Sequence, residues 1–182
     1  VITFREATEA DIEPILALVT SAYRGEASRA GWTTEADLLD GQRTDAEEIR
    51  ALLADTGGVV LIAERDTGAE RRMVACCRLG RNEGGAAGEG YFGMFSVDPT
   101  AQAGGIGRQV LAEAERLLAT RFGFHTVAMT VIEQRLELIA WYERRGYVNT
   151  RVYKPFPYGD ERFGIPRRAD LRFVVLEKRL PG

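Results

Sequence analysis

Apolar residues fall at positions 12, 15, 16, 18 and 19, and again at 106, 110, 111, 114, 117 and 118. That three-to-four spacing predicts two helices, each with one buried face. Thr8 with Asp11 predicts a capping box ahead of the first, and Pro14 predicts a kink there or the helix's true start. Three further helices are predicted: a short one over residues 34–39 closed by Gly41, one through Ile49, Leu52 and Leu53 opened by Thr44 with Glu47, and one over 136–145 stopped by Gly146. Apolar, β-branched runs between turn signals predict strands at 2–5, 58–64, 73–78, 91–97, 126–132, 147–153 and 171–176. Hairpins come first and strand–helix–strand crossovers follow. The order predicts one domain over residues 1–182 in the α/β (α+β) class, a mixed central sheet of about seven strands with helices on both faces.

Two connecting segments stand out. Residues 23–32 place Tyr23 and Trp32 among arginines, glutamate and serine, too polar for core; the segment predicts either a binding loop or a packed lid. Residues 153–163 form an aromatic loop that would serve as a second wall of the site.

At 45% hydrophobic and 28% charged residues, disorder is excluded as the main state. No apolar run approaches the roughly 18 residues of a membrane span, and the opening VITFREATEADIEP lacks the basic-then-apolar pattern of a signal peptide. Cys76 and Cys77 are adjacent and so are not expected to bridge each other; free thiols suit a reducing cytoplasm, where the protein is expected. With a single histidine, no metal-ligand spacing arises, and no metal is expected.

Charge changes the picture more. Residues 1–70 carry 15 acids and 6 bases, while 71–182 carry 12 acids and 18 bases. The chain is −3 in sum, so nucleic acid is not the expected partner. The asymmetry suits a cationic acceptor against the first part and an anionic cofactor against the second.

The strongest local signal is Gln102-Ala103-Gly104-Gly105-Ile106-Gly107-Arg108, where a strand ends and a glycine-rich turn opens a long helix. A helix start presents unpaired N–H donors and a partial positive charge, and so binds anions. No Gly-Lys-Ser/Thr follows, which excludes a Walker loop, and spacing and position do not fit a dinucleotide fingerprint. The remaining pattern is Q-x-x-G-x-G. The second signal, Trp141-Tyr142-Glu143-Arg144-Arg145-Gly146-Tyr147, lies about 40 residues further on, with strand 126–132 between them.

With both motifs present in order, the chain resembles the GNAT superfamily of acyl-CoA-dependent N-acyltransferases, in motif over residues 91–147 and in element order throughout. The resemblance implies a cleft where the family's fourth and fifth strands splay, here 91–97 and 126–132, with acetyl-CoA as cosubstrate. It implies that the pantetheine arm pairs with backbone atoms of Phe95, Ser96 and Val97, as an added strand would. The Phe95 N–H would then face the thioester carbonyl. The pyrophosphate would lie on Gln102, Ala103, Gly104, Gly105, Ile106, Gly107 and Arg108. Tyr142 matches the family's tyrosine, a proton donor to the departing thiolate.

Three positions depart from the family. Arg135 replaces the usual Asn but remains the expected side-chain contact to the cofactor, Gly104 replaces Arg or Lys, and Tyr91 replaces the Glu base of histone-type members. Glu89, two residues before Tyr91 and on the same strand face, is the predicted general base, with Glu133 second and His125 a strand-entry residue. The expected activity is transfer of acetyl from acetyl-CoA to a primary amine of a small molecule or peptide. A non-catalytic acyl-CoA-binding regulatory module is the alternative, and a nucleotide-binding protein a third reading. A homodimer through exposed edge strands is the expected assembly.

Overall fold

Successive strand residues point to opposite sides of a sheet, and the middle of the two central strands over 58–66 and 71–81 is buried at consecutive positions, so both faces are covered there. The computed structural model describes residues 1–102 and 104–182; Ala103, one of the expected pyrophosphate contacts, lies outside the described residues. In chain order the elements are β1 (Ile2–Glu6), α1 (Ile12–Tyr23), α2 (Gly25–Ser28), β2 (Leu39–Asp40), α3 (Ala46–Ala54), β3 (Gly58–Asp66) and β4 (Arg71–Arg81). There follow β5 (Glu89–Val97), α4 (Ile106–Thr120), β6 (Thr126–Ile132), α5 (Leu136–Glu143), β7 (Val148–Pro155), β8 (Ile165–Pro166) and β9 (Arg172–Arg179). Seven strands form one sheet in the order β1-β3-β4-β5-β6-β9-β7, and β2 pairs with β8 separately. All neighbours in the large sheet are antiparallel except β5 and β6.

Val60, Ile62, Cys76 and Met94 pack against the apolar stripes of α1 and α3. Leu61, Ala63, Cys77 and Phe92 pack on the other side with α4 and α5. The expected mixed sheet with helices on both faces is the observed one. Among the described residues no helix is long and apolar enough to cross a membrane.

Local expectations hold at some ends and fail at others. The Thr8–Asp11 capping box forms, but it opens a 3-10 turn before α1; Pro14 sits in the first turn of α1, where no N–H is needed. Residues 34–39 are not a helix. The N–H groups of Leu38 and Leu39 both bond to the Glu35 carbonyl, a single turn, after which Leu39 and Asp40 pair with Pro166 and Ile165. Six residues are too few to offset helix nucleation, and strand pairing buries Leu39 instead. The cap of α3 is Asp45, whose carboxylate accepts the Glu48 N–H at 2.8 Å; the Thr44 hydroxyl donates to the Glu48 carboxylate instead. A charged acceptor is the stronger cap.

Candidate active site

β5 and β6 pair only at Glu89–Thr126, Gly90–Val127 and Tyr91–Ala128, and beyond Tyr91 they diverge. The cause lies on the other edge of β5. Its register against β4 shifts between Cys76–Ser96 and Arg78–Gly93, a bulge that leaves Met94 and Phe95 without partners on β4. Met94 has a left-handed φ of 49°, unusual for a residue with a Cβ. The bulge turns Met94 toward α1 and α3 and Phe95 toward the α4–α5 side, where its ring lies 5.2 Å from that of Phe92.

The end of β5 leads into the turn before α4. Gly104 and Gly105 have φ of 99° and 75°, conformations that favour glycine, and among the described residues no atom outside their chain neighbours lies within 4 Å of a Cβ position at either. Gly105 caps α4 without any side chain accepting its first-turn N–H groups. A Cβ at Gly107 would stand 3.4 Å from the Phe95 ring and 3.5 Å from Trp141, in ordinary contact with both, so the first turn of α4 lies against these two aromatic rings. Arg108, in the first turn, shares an open groove with Gly104, Gly105 and Arg145. The Arg145 guanidinium lies 3.7 Å over the Trp141 ring and donates to the Trp141 carbonyl, with its Nε–H left without an acceptor. Burial, then the charges of Arg108 and Arg144, pull its pKa down, as a cluster of cations awaiting an anion would.

Two cavities meet in the wedge between the diverging strands. The narrower, of about 130 Å³, is lined by Trp32, Phe95, Val97, Gly107 and Trp141 among others. The larger, of about 310 Å³, extends past Arg43, Tyr91, Thr130 and Phe156. Tyr23, Phe95, Arg135, Leu138 and Tyr142 line both, so Tyr142 stands at their junction. The Tyr142 ring packs edge-on against Trp141 and Tyr147, and burial drives its pKa well above the ordinary phenol value, keeping the hydroxyl protonated.

Residues 23–32 are a lid on this wedge. The Tyr23 hydroxyl donates to the Phe95 carbonyl at 2.6 Å. The Gln102 side chain accepts the Trp32 N–H at 2.9 Å and donates to the Val97 carbonyl at 3.3 Å, and Trp32 leans on Trp141 with ring centroids 6.2 Å apart. The two β5 carbonyls expected to pair with the pantetheine arm therefore already carry one donor each. A carbonyl oxygen has a second lone pair to offer.

Beneath the lid lies a buried ion cluster. Arg24 donates to the Glu35 carboxylate at 2.5 Å and Arg135 to its other oxygen at 3.1 Å; all three side chains are buried. Burial alone would raise the Glu35 pKa, but Arg135, Arg24 and Arg43 outweigh it and hold the carboxyl below its usual range. Arg135 also reaches the Thr33 hydroxyl, so this arginine ties the lid to the start of α5.

The placement of the other expected residues is uneven. Phe95, Val97, Gln102, Gly107, Arg108, Arg135 and Tyr142 come together around the wedge, and Gly104 and Gly105 border its outer groove. Ile106 contributes a buried side chain to the core and Ser96 turns away, donating to the Met94 carbonyl. Glu89, the expected base, lies outside both cavities. It sits where β5 is still paired with β6, bonded to Asn82 in the β4–β5 connection. Glu89 shares the face of Tyr91, but it lies at the start of β5, where β6 is still paired, and five residues separate it from Phe95 beyond the bulge. Glu133 is held outside by Arg172 at 2.5 Å, and His125 is exposed at the entry of β6. Glu35 and Arg43 line the site without having been singled out. Tyr23 and Trp32 could be suspected as aromatics in a polar loop, whereas nothing in the sequence pairs Glu35 with Arg135.

Comparisons with known proteins follow this geometry. No curated protein matches the chain in sequence. Solved structures share its fold: the ribosomal-protein-alanine N-acetyltransferase of Brucella melitensis is 23% identical, with 98% of this chain and 99% of that one covered and a TM-score of 0.69. The ribosomal-protein-S18-alanine N-acetyltransferase of Escherichia coli is 13% identical, with 100% and 96% covered and a TM-score of 0.69. YncA of Salmonella typhimurium, solved with its cofactor acetyl-CoA, is 20% identical, with 99% and 94% covered and a TM-score of 0.68. Residues 19–147 match the model of the acetyltransferase (GNAT) family, a span that runs from the lid helix through the tyrosine helix. This chain belongs to the GNAT acetyltransferase family, whose cosubstrate is acetyl-CoA.

Proposed function

We propose that the protein moves an acetyl group from acetyl-CoA to a primary amine of a small molecule or peptide, by direct attack within a ternary complex. The observation that carries this reading is the position of Tyr142 at the junction of two cavities, one leading to the α4 turn and one to a separate chamber. A transfer between two bound molecules needs such a junction. The two buried thiols take no part: Cys76 and Cys77 line neither cavity, and burial raises both pKa values.

The residues present fit the cosubstrate. The uncapped N–H groups of α4, with Arg108 and Arg145 beside them, suit a diphosphate, and the aromatic walls of the narrow cavity suit a pantetheine arm. Acetyl-CoA supplies a thioester at the junction. The bulged backbone at Phe95 offers its N–H to the oxygen charge that develops there. Tyr142 Oη holds the proton that the departing sulfur requires, and its raised pKa keeps that proton available across the working pH range. Both cavities are partly open to solvent, so water reaches the larger one and takes the proton that the amine loses.

The experiment is thiol release from acetyl-CoA with a panel of primary amines, with Tyr142→Phe alongside wild type. The variant should turn over roughly 10²–10⁴-fold more slowly. Equal turnover by the variant removes the acid role. The absence of a carboxylate base between the cavities favours the second reading, a regulatory module that binds acyl-CoA without transfer; CoA binding with no thiol release from any amine would establish it. The solved relatives named for ribosomal-protein alanine show that this fold serves peptide amines elsewhere. β7, at the sheet edge, exposes Val148, Val152 and Tyr153, which supports pairing of two copies, a state that sedimentation would read directly.

A further inference from the structure

The larger cavity holds an arginine with no ion partner. Its lining carries three guanidinium groups, Arg24, Arg43 and Arg135, against two carboxylates, Glu35 and Glu48. Glu35 is shared between Arg24 and Arg135. Glu48 accepts from the Thr44 hydroxyl at 2.7 Å, and no guanidinium lies within 4 Å of it. Among the described residues Arg43 has neither a carboxylate within 4 Å nor a side-chain hydrogen bond. Its guanidinium carbon lies 5.1 Å over the Tyr23 ring. Two more donors in the same cluster, Arg24 Nε and Arg135 Nε, are buried without an acceptor.

Burial acts against the Arg43 charge, but Tyr23, Glu35, Tyr91 and Glu48 around it outweigh burial, so the guanidinium stays charged while its N–H donors remain free for an anion. Its planar fork of donors fits a carboxylate or a similar oxyanion, and an exposed Arg–Asp pair elsewhere on this surface shows no such deficit. We propose that the acceptor carries an acid group beside its reactive amine, as an amino acid does, and that Arg43 receives that acid. This deepens the reading of the protein as an N-acetyltransferase and rests on it for the word acceptor, but the anion site itself rests on the cavity alone. The charge balance also separates acceptor classes. A polyamine would bring several cations into a lining that already has one positive charge in excess and no carboxylate aimed at a second ammonium. An amino acid brings an anion to Arg43.

Two measurements test this. Standard α-amino acids, their α-carboxamides and linear polyamines are screened for binding by calorimetry in the absence of acetyl-CoA, with wild type, Arg43→Gln and Arg43→Lys. The same panel is then run as acceptors with acetyl-CoA. At least one amino acid should bind wild type and lose roughly 10- to 100-fold in affinity in Arg43→Gln, with part of the loss recovered in Arg43→Lys. In turnover the preference for that acid over its carboxamide should collapse in Arg43→Gln, through KM rather than kcat. Binding of no acid-bearing amine, or an equal loss for acids and carboxamides, overturns the anion site. Arg43-dependent binding without any acetylation leaves the anion site standing and overturns the transfer reading. Turnover of polyamines in preference to acids does the reverse.

Discussion

The Tyr23 hydroxyl donates to the Phe95 carbonyl oxygen at 2.6 Å, joining the last residue of α1 to the bulge of β5 across 72 positions of sequence. The bulge turns Phe95 toward the cavities, and its backbone carbonyl would otherwise face the interior of the wedge. Tyr23→Phe removes the donor and leaves that acceptor unsatisfied, a cost of about 1–3 kcal/mol. For a domain of this size the midpoint of thermal unfolding should fall by roughly 2–4 °C for each kcal/mol lost. An unchanged midpoint would mean that a water replaces the hydroxyl at no cost.

Both tryptophans of the chain, Trp32 on the lid and Trp141 on α5, line the narrow cavity. Their rings touch at its wall, with centroids 6.2 Å apart and planes tilted by 32°. Intrinsic tryptophan emission therefore reports on that cavity and on nothing else in the molecule. Titration with coenzyme A should change the emission saturably, and Trp141→Phe should keep a residual change from Trp32. A saturable calorimetric signal with no optical change would place the cofactor elsewhere.

The glycine-rich turn before α4 and the tyrosine of α5 were legible in the sequence because each motif is contiguous. Glycines at 104, 105 and 107 and a tyrosine four residues before Gly146 need no tertiary information to be recognised. The lining of the larger cavity was not legible, because its parts come from distant segments: Glu35 and Arg135 meet across 100 positions, and Arg24 in the lid and Arg43 beyond it converge on the same cavity. Nothing in the local pattern separates Glu35 from the exposed Asp37 two residues later. Period-two reasoning sets Glu89 on the face of Tyr91 but carries no further along β5, because one left-handed residue at Met94 resets the faces beyond it. The apolar pair Leu38 and Leu39 mimicked helical spacing in a stretch that makes one turn and then enters a two-residue strand.

Cys76 and Cys77 are both fully buried, on opposite faces of β4. Burial pushes the Cys76 thiol up to about 12 and that of Cys77 well above its ordinary value. Thiolate, the reactive form, is therefore scarce at both. A thiol reagent at pH 8 should label neither cysteine in the native protein and both in denaturant. Fast labelling of the native chain would show that the sheet opens locally. If labelling is absent, colourimetric detection of released coenzyme A is free of background from the protein.

Glu35→Gln tests the ion cluster beneath the lid. The carboxylate compensates two buried guanidiniums, Arg24 and Arg135, and glutamine keeps the shape while removing the charge. Breaking such a cluster on one side leaves uncompensated buried charge, at a cost of about 3–5 kcal/mol. The midpoint in urea should fall accordingly. The pH dependence follows from the sign of the shift: the native Glu35 carboxyl is held below its unfolded pKa, so its contribution is complete above that unfolded value and is lost as pH falls through the lower native one. Asp11, held near 2 mainly by its bonds from Arg5, gives a second acid-labile contribution that Glu35→Gln leaves in place. The variant should therefore unfold at lower urea at pH 7 and lose stability less steeply than wild type on acidification below about pH 5, with a remaining slope from Asp11. Parallel acid slopes in the two proteins would mean that Glu35 is protonated in the native state and that the two arginines are balanced by another group.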